Sequence, residues 1–319
     1  PCPLFFVEID SHFFPLFFYL LPLSSIAYHL PSWFRVVNNP QSVEIALGGR
    51  KLVLETGRVA GQASGAILAR YGDTVVLATV MLGKERPELG YFPLTVDYIE
   101  KLYAGGRIKG SRWVKREGRP TDDAILKGRL IDRSIRPLFP KDFFREVQVT
   151  VTTLSVDNES DADILGIIAV STALTISEIP WNGPVAAVRL GLLEDKQSLI
   201  TNPINGESEK SPLDLVVSAT KDAILMVEAG ATQIDEETIL KALKYGFDET
   251  QTVITAIVEL QNKTGKKKIT YETKEVSEDL KHKIYELAEE KIKLLMEKSA
   301  QKKAGENDFD ELKTEVYGE

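Results

Sequence analysis

The sequence has 319 residues, of which 43% are hydrophobic and 27% charged, as is typical of a soluble globular protein with one large or two smaller domains. Its formal net charge of -8 argues against general nucleic-acid binding, so any such surface must be local. Cys2 is the only cysteine and residues 40–281 contain no histidine. This excludes a disulfide framework, a cysteine-based zinc site and, in that stretch, histidine-dependent catalysis, and it favours a reducing, cytoplasmic location.

Residues 1–40 differ from the rest of the chain, being rich in Phe, Leu and Pro. Pro15 and Pro22 interrupt the most apolar part, which argues against a transmembrane helix. Glu8 and Asp10 stand where a signal peptide carries basic residues. Three interpretations stay open: upstream sequence translated in error or a fragment edge, a targeting or membrane segment, and a structural extension. We expect the segment to lie outside the fold, without a membrane partner.

Residues 42–98 carry the pattern of short β-strands separated by glycines. The run TVVLATVML is β-branched and long, which is typical of a central strand covered on both faces. Residues 101–120 contain four glycines and many cations, a composition that indicates a loop. The predicted strands are residues 42–47, 51–56, 65–71, 74–82 and 91–98.

A helix is predicted directly after this loop. Thr121 has the position of an N-cap, and Asp122 and Asp123 follow in the first turn, where the helix dipole favours acids. The helix is expected to run to about Arg136 and to stop at Pro137, because proline cannot continue the hydrogen-bond ladder.

The remaining sequence alternates strands with one apolar helix and then becomes helical. Residues 163–178 are apolar on every side, which predicts a buried helix. From Asp235 onward the pattern is helical, with breaks expected at Gly246 and Gly265 and a highly charged helix over residues 277–303. Further strands are predicted at residues 146–156, 185–193, 213–219 and 224–228. This order predicts an α+β domain with a mixed sheet, followed by an all-α segment.

The strongest charge anomaly lies in residues 101–136, where eleven cations and four acids give a net charge of +7. Trp113 stands inside the cation run. Cations can follow a phosphate backbone while an aromatic ring stacks on a base, so the combination suits single-stranded nucleic acid.

Three arginines of the predicted helix fall on one face, at positions i, i+4 and i+7: Arg129, Arg133 and Arg136. Guanidinium groups match phosphate oxygens in a bidentate way. The alternative is a solvated charged helix in which Arg133 or Arg136 pairs with Asp132 or another acid.

Long stretches of the sequence resemble the polynucleotide phosphorylase family. GRKLVLETGRVAGQASGAILARYGDTVVLATV, GYFPLTVDY, KREGRP, RLIDRSIRPLFP and LMVEAGA stand in the family's order. The resemblance implies an RNase PH-like fold (ribosomal protein S5 domain 2-like), with a first RNase PH-type domain at 41–232. It also implies an all-α linker domain at 233–319, expected to be truncated at its C-terminus.

The family resemblance implies an enzyme that degrades RNA from the 3′ end with inorganic phosphate and releases nucleoside diphosphates. Single-stranded RNA, a homotrimeric ring and RNA-degradosome proteins are the implied partners. The catalytic site and its Mg²⁺ are expected in a second RNase PH-type domain. This portion is therefore expected to guide RNA and assemble the ring, and to be inactive alone.

The metal signature of the family, D-x5-D-x-K, is incomplete in this chain. Asp214 stands at its second aspartate, but Ser208 and Val216 replace the first aspartate and the lysine. One carboxylate cannot hold Mg²⁺, so no metal site and no catalytic residue is expected here. Acids also crowd residues 157–163, where the family's catalytic domain binds phosphate at a helix start. We expect them to cap that helix and repel phosphate, and a metal-binding cluster is the alternative.

The resemblance implies that the loop before EGRP guides RNA. Trp113 stands before Lys115 and Arg116, while Val114 replaces a second aromatic residue and Arg112 is an added cation. The implied RNA-binding residues are Arg112, Trp113, Lys115, Arg116, Arg119, Arg129, Arg133 and Arg136. A stand-alone RNase PH, an exosome-type ring subunit and a non-catalytic RNA-binding ring subunit remain alternatives.

Overall fold

The structure, a computed structural model, describes residues 40–108, 110, 118–157, 159–193, 198–271, 277–300 and 306–318. It divides into two compact units, the first ending at Thr270 and the second beginning at Tyr271. The first unit contains both β-sheets and the helices that pack on them. The boundary between 232 and 233 that the family resemblance implies stays a prediction.

A six-stranded sheet forms the first half of this unit, in the order β1-β2-β3-β4-β6-β5. Neighbouring strands are antiparallel except β5 and β6, which run parallel. In β6, Val147, Val149 and Val151 are fully buried, which confirms the predicted alternation. The strands are β1 (Gln41–Leu47), β2 (Arg50–Thr56), β3 (Gly65–Tyr71), β4 (Thr74–Glu85), β5 (Leu94–Glu100) and β6 (Arg145–Ser155).

A four-stranded antiparallel sheet forms the second half, in the order β10-β9-β7-β8. Its short strand β8 was not among the predicted strands, because three residues are too few to show a two-residue period. The strands are β7 (Ala186–Leu192), β8 (Leu199–Thr201), β9 (Leu213–Ala219) and β10 (Ile224–Ala231).

Helix α1 (Asp122–Ile135) begins where the sequence predicted. The side chain of Thr121 accepts a hydrogen bond from the backbone N of Ala124 at 3.1 Å, and a short 3-10 turn, Arg136–Leu138, follows the helix. Helix α2 (Ala162–Ile176) is buried along almost its whole length, since it packs on β3 and β4 of one sheet and on β7 of the other. A single turn, α3 (Asn205–Ser208), precedes β9.

The long helix α4 (Glu236–Thr264) passes through Gly246 without a break, so the predicted interruption is wrong. A Cβ atom at Gly246 would lie 3.0 Å from Leu190 Cδ1 and 3.2 Å from Val217 Cγ2. The glycine therefore permits close packing of the helix on the second sheet. The predicted end at Gly265 is confirmed, because its backbone N donates to Gln261 O at 2.7 Å.

The second unit contains α5 (Glu278–Ala300) and α6 (Glu306–Gly318). An ion pair of 2.7 Å between Lys291 Nζ and Glu315 Oε1 joins the two helices. None of the helices in the described ranges has both the length and the apolar character needed to cross a membrane.

Candidate nucleic-acid interface

The predicted arginine face lies on the solvent side of α1. Ile131 and Ile135 are fully buried on the other side, where α1 packs on β5 and α2. Arg129 and Arg133 are exposed, and Arg136 is exposed at the start of the 3-10 turn. The amphipathic pattern that buries the two isoleucines thus turns all three guanidinium groups to one solvent-facing surface.

Two of the three arginines are already paired with carboxylates. Arg136 Nη2 lies 2.7 Å from Asp132 Oδ1 and also donates to Leu94 O at 3.2 Å. Arg133 Nη1 lies 2.9 Å from Glu228 Oε2 on β10. Arg129 has no ion-pair partner within the described ranges. The pairing expected under the solvated-helix interpretation is therefore present for Arg133 and for Arg136. Among the residues that the structure describes, Arg129 is the arginine of this face whose charge no carboxylate shares.

The basic loop is described only at its ends. Its first turn, Leu102–Gly105, is held to the end of β6, because the backbone N of Val156 donates to Ala104 O at 3.1 Å. Arg119, at the other end, is exposed. The predicted RNA-binding residues Arg112, Trp113, Lys115 and Arg116 lie outside the described residues.

Lys127 belongs to the same basic stretch but is tied into the fold. Its Nζ lies 2.6 Å from Asp123 Oδ2 and 2.8 Å from Glu100 Oε1, and 5.7 Å from the ring centre of Tyr98. Burial alone would lower the pKa of Lys127, but hydrogen bonds to the two carboxylates outweigh it and raise that pKa. This cation therefore stabilises the packing of α1 on β5 more than it offers charge to a ligand.

A second charge cluster surrounds Arg189 on β7, a residue that the sequence analysis did not single out. Three carboxylates contact its guanidinium group. Nε lies 2.9 Å from Asp161 Oδ2, Nη2 lies 3.0 Å from Asp163 Oδ2, and Nη1 lies 3.3 Å from Asp214 Oδ2. The Arg189 side chain is 18% exposed, so the carboxylates compensate a largely buried cation. Its β-strand position and the distance in sequence from its partners hid this cluster from pattern analysis.

The structure shows what surrounds the incomplete metal signature. Val216 is 3% exposed in β9 and supplies no charged group, while the carboxylate of Asp214 is engaged by Arg189. Within the described ranges, no group of three His, Cys, Asp or Glu side chains is placed to hold a metal ion. The residues at this position therefore do not fit Mg²⁺, which needs several oxygen ligands close together.

The acids before α2 do not cap it as expected. Asp161 is the N-cap residue but its side chain makes no capping hydrogen bond, and its carboxylate faces Arg189. Burial is the main cause that raises the pKa of Asp161 to about 6, and the negative charges of Asp163 and Asp214 raise it further. Together they outweigh Arg189, whose positive charge lowers that pKa. The capping explanation is therefore wrong for Asp161, and its ion pair with β7 is the observed role.

Asp157 instead organises the turn between β6 and α2. Its carboxylate accepts hydrogen bonds from the backbone N of Glu159 at 2.9 Å and of Ser160 at 2.8 Å. It also bonds Asp73 N and Thr74 Oγ1 in the β3–β4 turn. Burial would raise the pKa of Asp157, but these donors outweigh it and lower the pKa to about 2.

Two family models match consecutive parts of this architecture. The 3′ exoribonuclease family, domain 1, matches residues 48–180, which include α1, α2 and most of the first sheet. Domain 2 of the same family matches residues 183–249, which include the second sheet and the first part of α4. The chain therefore belongs to the 3′ exoribonuclease family.

Similarity to individual curated proteins shows which member of this family the chain resembles. The chain is 49% identical over 253 residues to the polyribonucleotide nucleotidyltransferase of Heliobacterium modesticaldum, which covers 79% of this chain and 35% of that protein. The enzyme of the same name from Thermus thermophilus is 49% identical over 257 residues, covering 80% and 36%. These matches confirm the resemblance to polynucleotide phosphorylase. The chain spans about a third of the length of these relatives.

A solved structure supports the fold. Rice (Oryza sativa) Rrp46 superposes with a TM-score of 0.53 at 14% identity, covering 71% of this chain and 95% of that protein. At this identity the likeness concerns the fold alone. It confirms the predicted RNase PH-like architecture of mixed sheet and helices.

Proposed function

We propose that this chain is the RNA-guiding and ring-assembling portion of a 3′-to-5′ phosphorolytic exoribonuclease. The exposed arginine face of α1 carries the proposal, in a chain that belongs to the 3′ exoribonuclease family. Arg129, whose guanidinium group is in no ion pair with a described residue, is its strongest candidate contact to an RNA phosphate. Arg133 and Arg136 support the backbone beside it, held in position by Glu228 and Asp132.

The basic loop completes the proposed RNA path. Trp113 stacks on a base, while Arg112, Lys115, Arg116 and Arg119 follow the phosphate backbone. The local charge of +7 within a chain of net charge -8 supports this assignment, because phosphate attracts the loop and is repelled by most of the remaining surface.

The phosphorolytic chemistry is assigned to residues outside this portion. The proposed enzyme uses inorganic phosphate and Mg²⁺, works as a cytoplasmic homotrimer and joins other RNA-degrading proteins. The cluster of Asp161, Asp163 and Asp214 around Arg189 supports this division of labour, since the carboxylates are committed to a guanidinium group.

The salt dependence of RNA binding tests the proposal. Fluorescence anisotropy of a labelled, unstructured oligoribonucleotide is measured over a series of salt concentrations. The double variant Lys115→Ala with Arg116→Ala should bind all sequences more weakly, with a slope of log K against log salt reduced by about 0.7 per lost phosphate contact. Arg70→Ala is a matched control, because Arg70 is an exposed cation in the hairpin of β3 and β4, paired with Asp73. A double variant with an unaltered slope would show that the loop is only solvated surface.

A non-catalytic RNA-binding ring subunit is the second candidate, favoured by the same acidic cluster around Arg189. Incubation of labelled RNA with the 319-residue chain, phosphate and Mg²⁺ separates the candidates from a stand-alone enzyme. RNA binding without release of nucleoside diphosphates agrees with both proposals, whereas their release by this chain alone would support a stand-alone enzyme.

A further inference from the structure

The three carboxylates around Arg189 come from two separate parts of the first unit. Asp161 and Asp163 flank the start of α2, and Asp214 lies on β9, opposite Gly191 in the register between β7 and β9. Arg189 projects from β7 into this group and contacts all three within 3.3 Å. The sheet pairing and the packing of α2 thus bring three carboxylates together around one guanidinium group.

The electrostatic balance of the cluster is incomplete. One guanidinium group supplies one positive charge against three carboxylates, so a fully ionised cluster keeps a net charge of -2. Arg189 Nε lies 2.9 Å from Asp161 Oδ2, but it makes no aligned hydrogen bond in this buried position. A doubly charged ion would compensate the carboxylates better than the guanidinium does.

We propose that Arg189 is a built-in cation, which occupies the space of a divalent metal ion and keeps such an ion out of this domain. The motivating observation is that Arg189 binds the carboxylate of Asp214, at the position where the family resemblance implies a metal ligand. Removal of the guanidinium group therefore converts the cluster into a site for Mg²⁺ or Mn²⁺. This inference is independent of the proposed RNA-guiding role, because it concerns the protein without RNA.

The geometry permits this conversion. Mg²⁺ ligands lie at about 2.0–2.1 Å, so the carboxylates must move inward from their present distances of 2.9–3.3 Å to the guanidinium nitrogens. The side chains of Asp161 and Asp214 are 29% and 49% exposed, which leaves them room to move and gives an ion a path from solvent. Asp163, 9% exposed, is anchored by the backbone N of Ile164 at 2.7 Å and fixes the inner side.

The test compares Mn²⁺ binding by the full chain and by Arg189→Gln. Loss of the electron paramagnetic resonance signal of free Mn²⁺ gives the stoichiometry, and thermal unfolding with and without Mn²⁺ reports whether the ion replaces the missing cation. Wild-type protein should bind no stoichiometric ion and unfold at the same temperature in both conditions. Arg189→Gln should bind one Mn²⁺ per chain, and its lowered unfolding temperature should rise when Mn²⁺ is added.

The matched control is the double variant Arg189→Gln with Asp214→Asn, in which the side chain at position 214 keeps its size but lacks the carboxylate. Its Mn²⁺ affinity should fall at least tenfold below that of Arg189→Gln. Three results would overturn the proposal: a stoichiometric ion in wild type that is lost on Asp214→Asn, an Arg189→Gln protein that stays metal-free or stays unfolded in Mn²⁺, and equal affinities of the single and double variants.

Discussion

Asp157 offers a sharp test of how the chain holds the start of α2, and with it the Arg189 cluster. Its carboxylate bonds the backbone N of Glu159 and Ser160 in its own turn and reaches Asp73 and Thr74 in the β3–β4 turn. Replacement by asparagine keeps the shape and one acceptor oxygen but removes the charge. We therefore expect the free energy of unfolding to decrease without a change of fold.

The magnitude follows from the lowered pKa of Asp157, which goes from 3.8 to about 2. A tenfold change in the acid dissociation constant corresponds to about 1.4 kcal/mol, so the upper limit of the charge effect is about 2.5 kcal/mol. The carboxylate is partly exposed to solvent, which screens the interaction and reduces the expected loss to about 1 kcal/mol. Asp157→Ala, which also leaves the backbone donors without an acceptor, should lose about 2–3 kcal/mol.

The lowered pKa of Asp157 also fixes how its contribution to the free energy of unfolding changes with pH. Because the folded-state pKa of Asp157 is depressed, its stabilisation is present above pH 3.8 and is lost as the pH falls through about 2. Urea unfolding followed by tryptophan fluorescence measures wild type and Asp157→Asn at pH 7, 5 and 3. The difference between them should be unchanged from pH 7 to 5 and should fall by about half at pH 3. A difference at pH 3 as large as that at pH 7 would refute the electrostatic reasoning.

Three further changes have expected outcomes. Gly65→Ala should lower the free energy of unfolding by about 1–3 kcal/mol, because the added Cβ would overlap the carbonyl oxygen of Ala173. Gly61→Ala, at a position with open space around it, should change that free energy little, and equal urea midpoints for the two variants would contradict this reasoning. Lys268→Met should lower the free energy of unfolding by about 1–3 kcal/mol in the same assay, since Nζ of Lys268 donates to the carbonyls of Leu174 and Ser177 at the end of α2. Lys268→Arg keeps a donor and should lose less, so an equal loss in both variants would argue against this hydrogen bonding. Trp113→Ala should weaken binding of single-stranded RNA by about 1–3 kcal/mol per stacked base, and a changed salt slope would assign the residue another role.

Local physical rules account for most of the predicted elements. The N-cap at Thr121 depends on a side-chain acceptor three residues before a free backbone donor, and both are adjacent in the sequence. The exposed arginine face of α1 follows from helical periodicity, and the buried valines of β6 follow from a period of two. Such features need only neighbours in the chain, so the amino-acid sequence alone predicts them.

The charge of the basic stretch was also evident from the sequence, but its distribution among partners was not. Arg136 pairs with an acid one helical turn away, a pairing that the spacing made foreseeable. Arg133 pairs with Glu228 on a strand 95 positions further along the chain. Only the packing of β10 beside α1 brings Glu228 to Arg133, whereas Arg129 has no ion-pair partner in the described part of the chain.

The errors of the sequence analysis have the same origin. Gly246 has the local character of a helix breaker, yet α4 continues through it because Leu190 and Val217 of the second sheet pack against the glycine. Asp161 has the position of a helix cap, yet Arg189 of β7 draws its carboxylate away. Capping, periodicity and turn preferences act between near neighbours and are encoded in short segments. Ion pairs and close packing between distant segments depend on sheet order and helix placement, which exist only after the chain has folded.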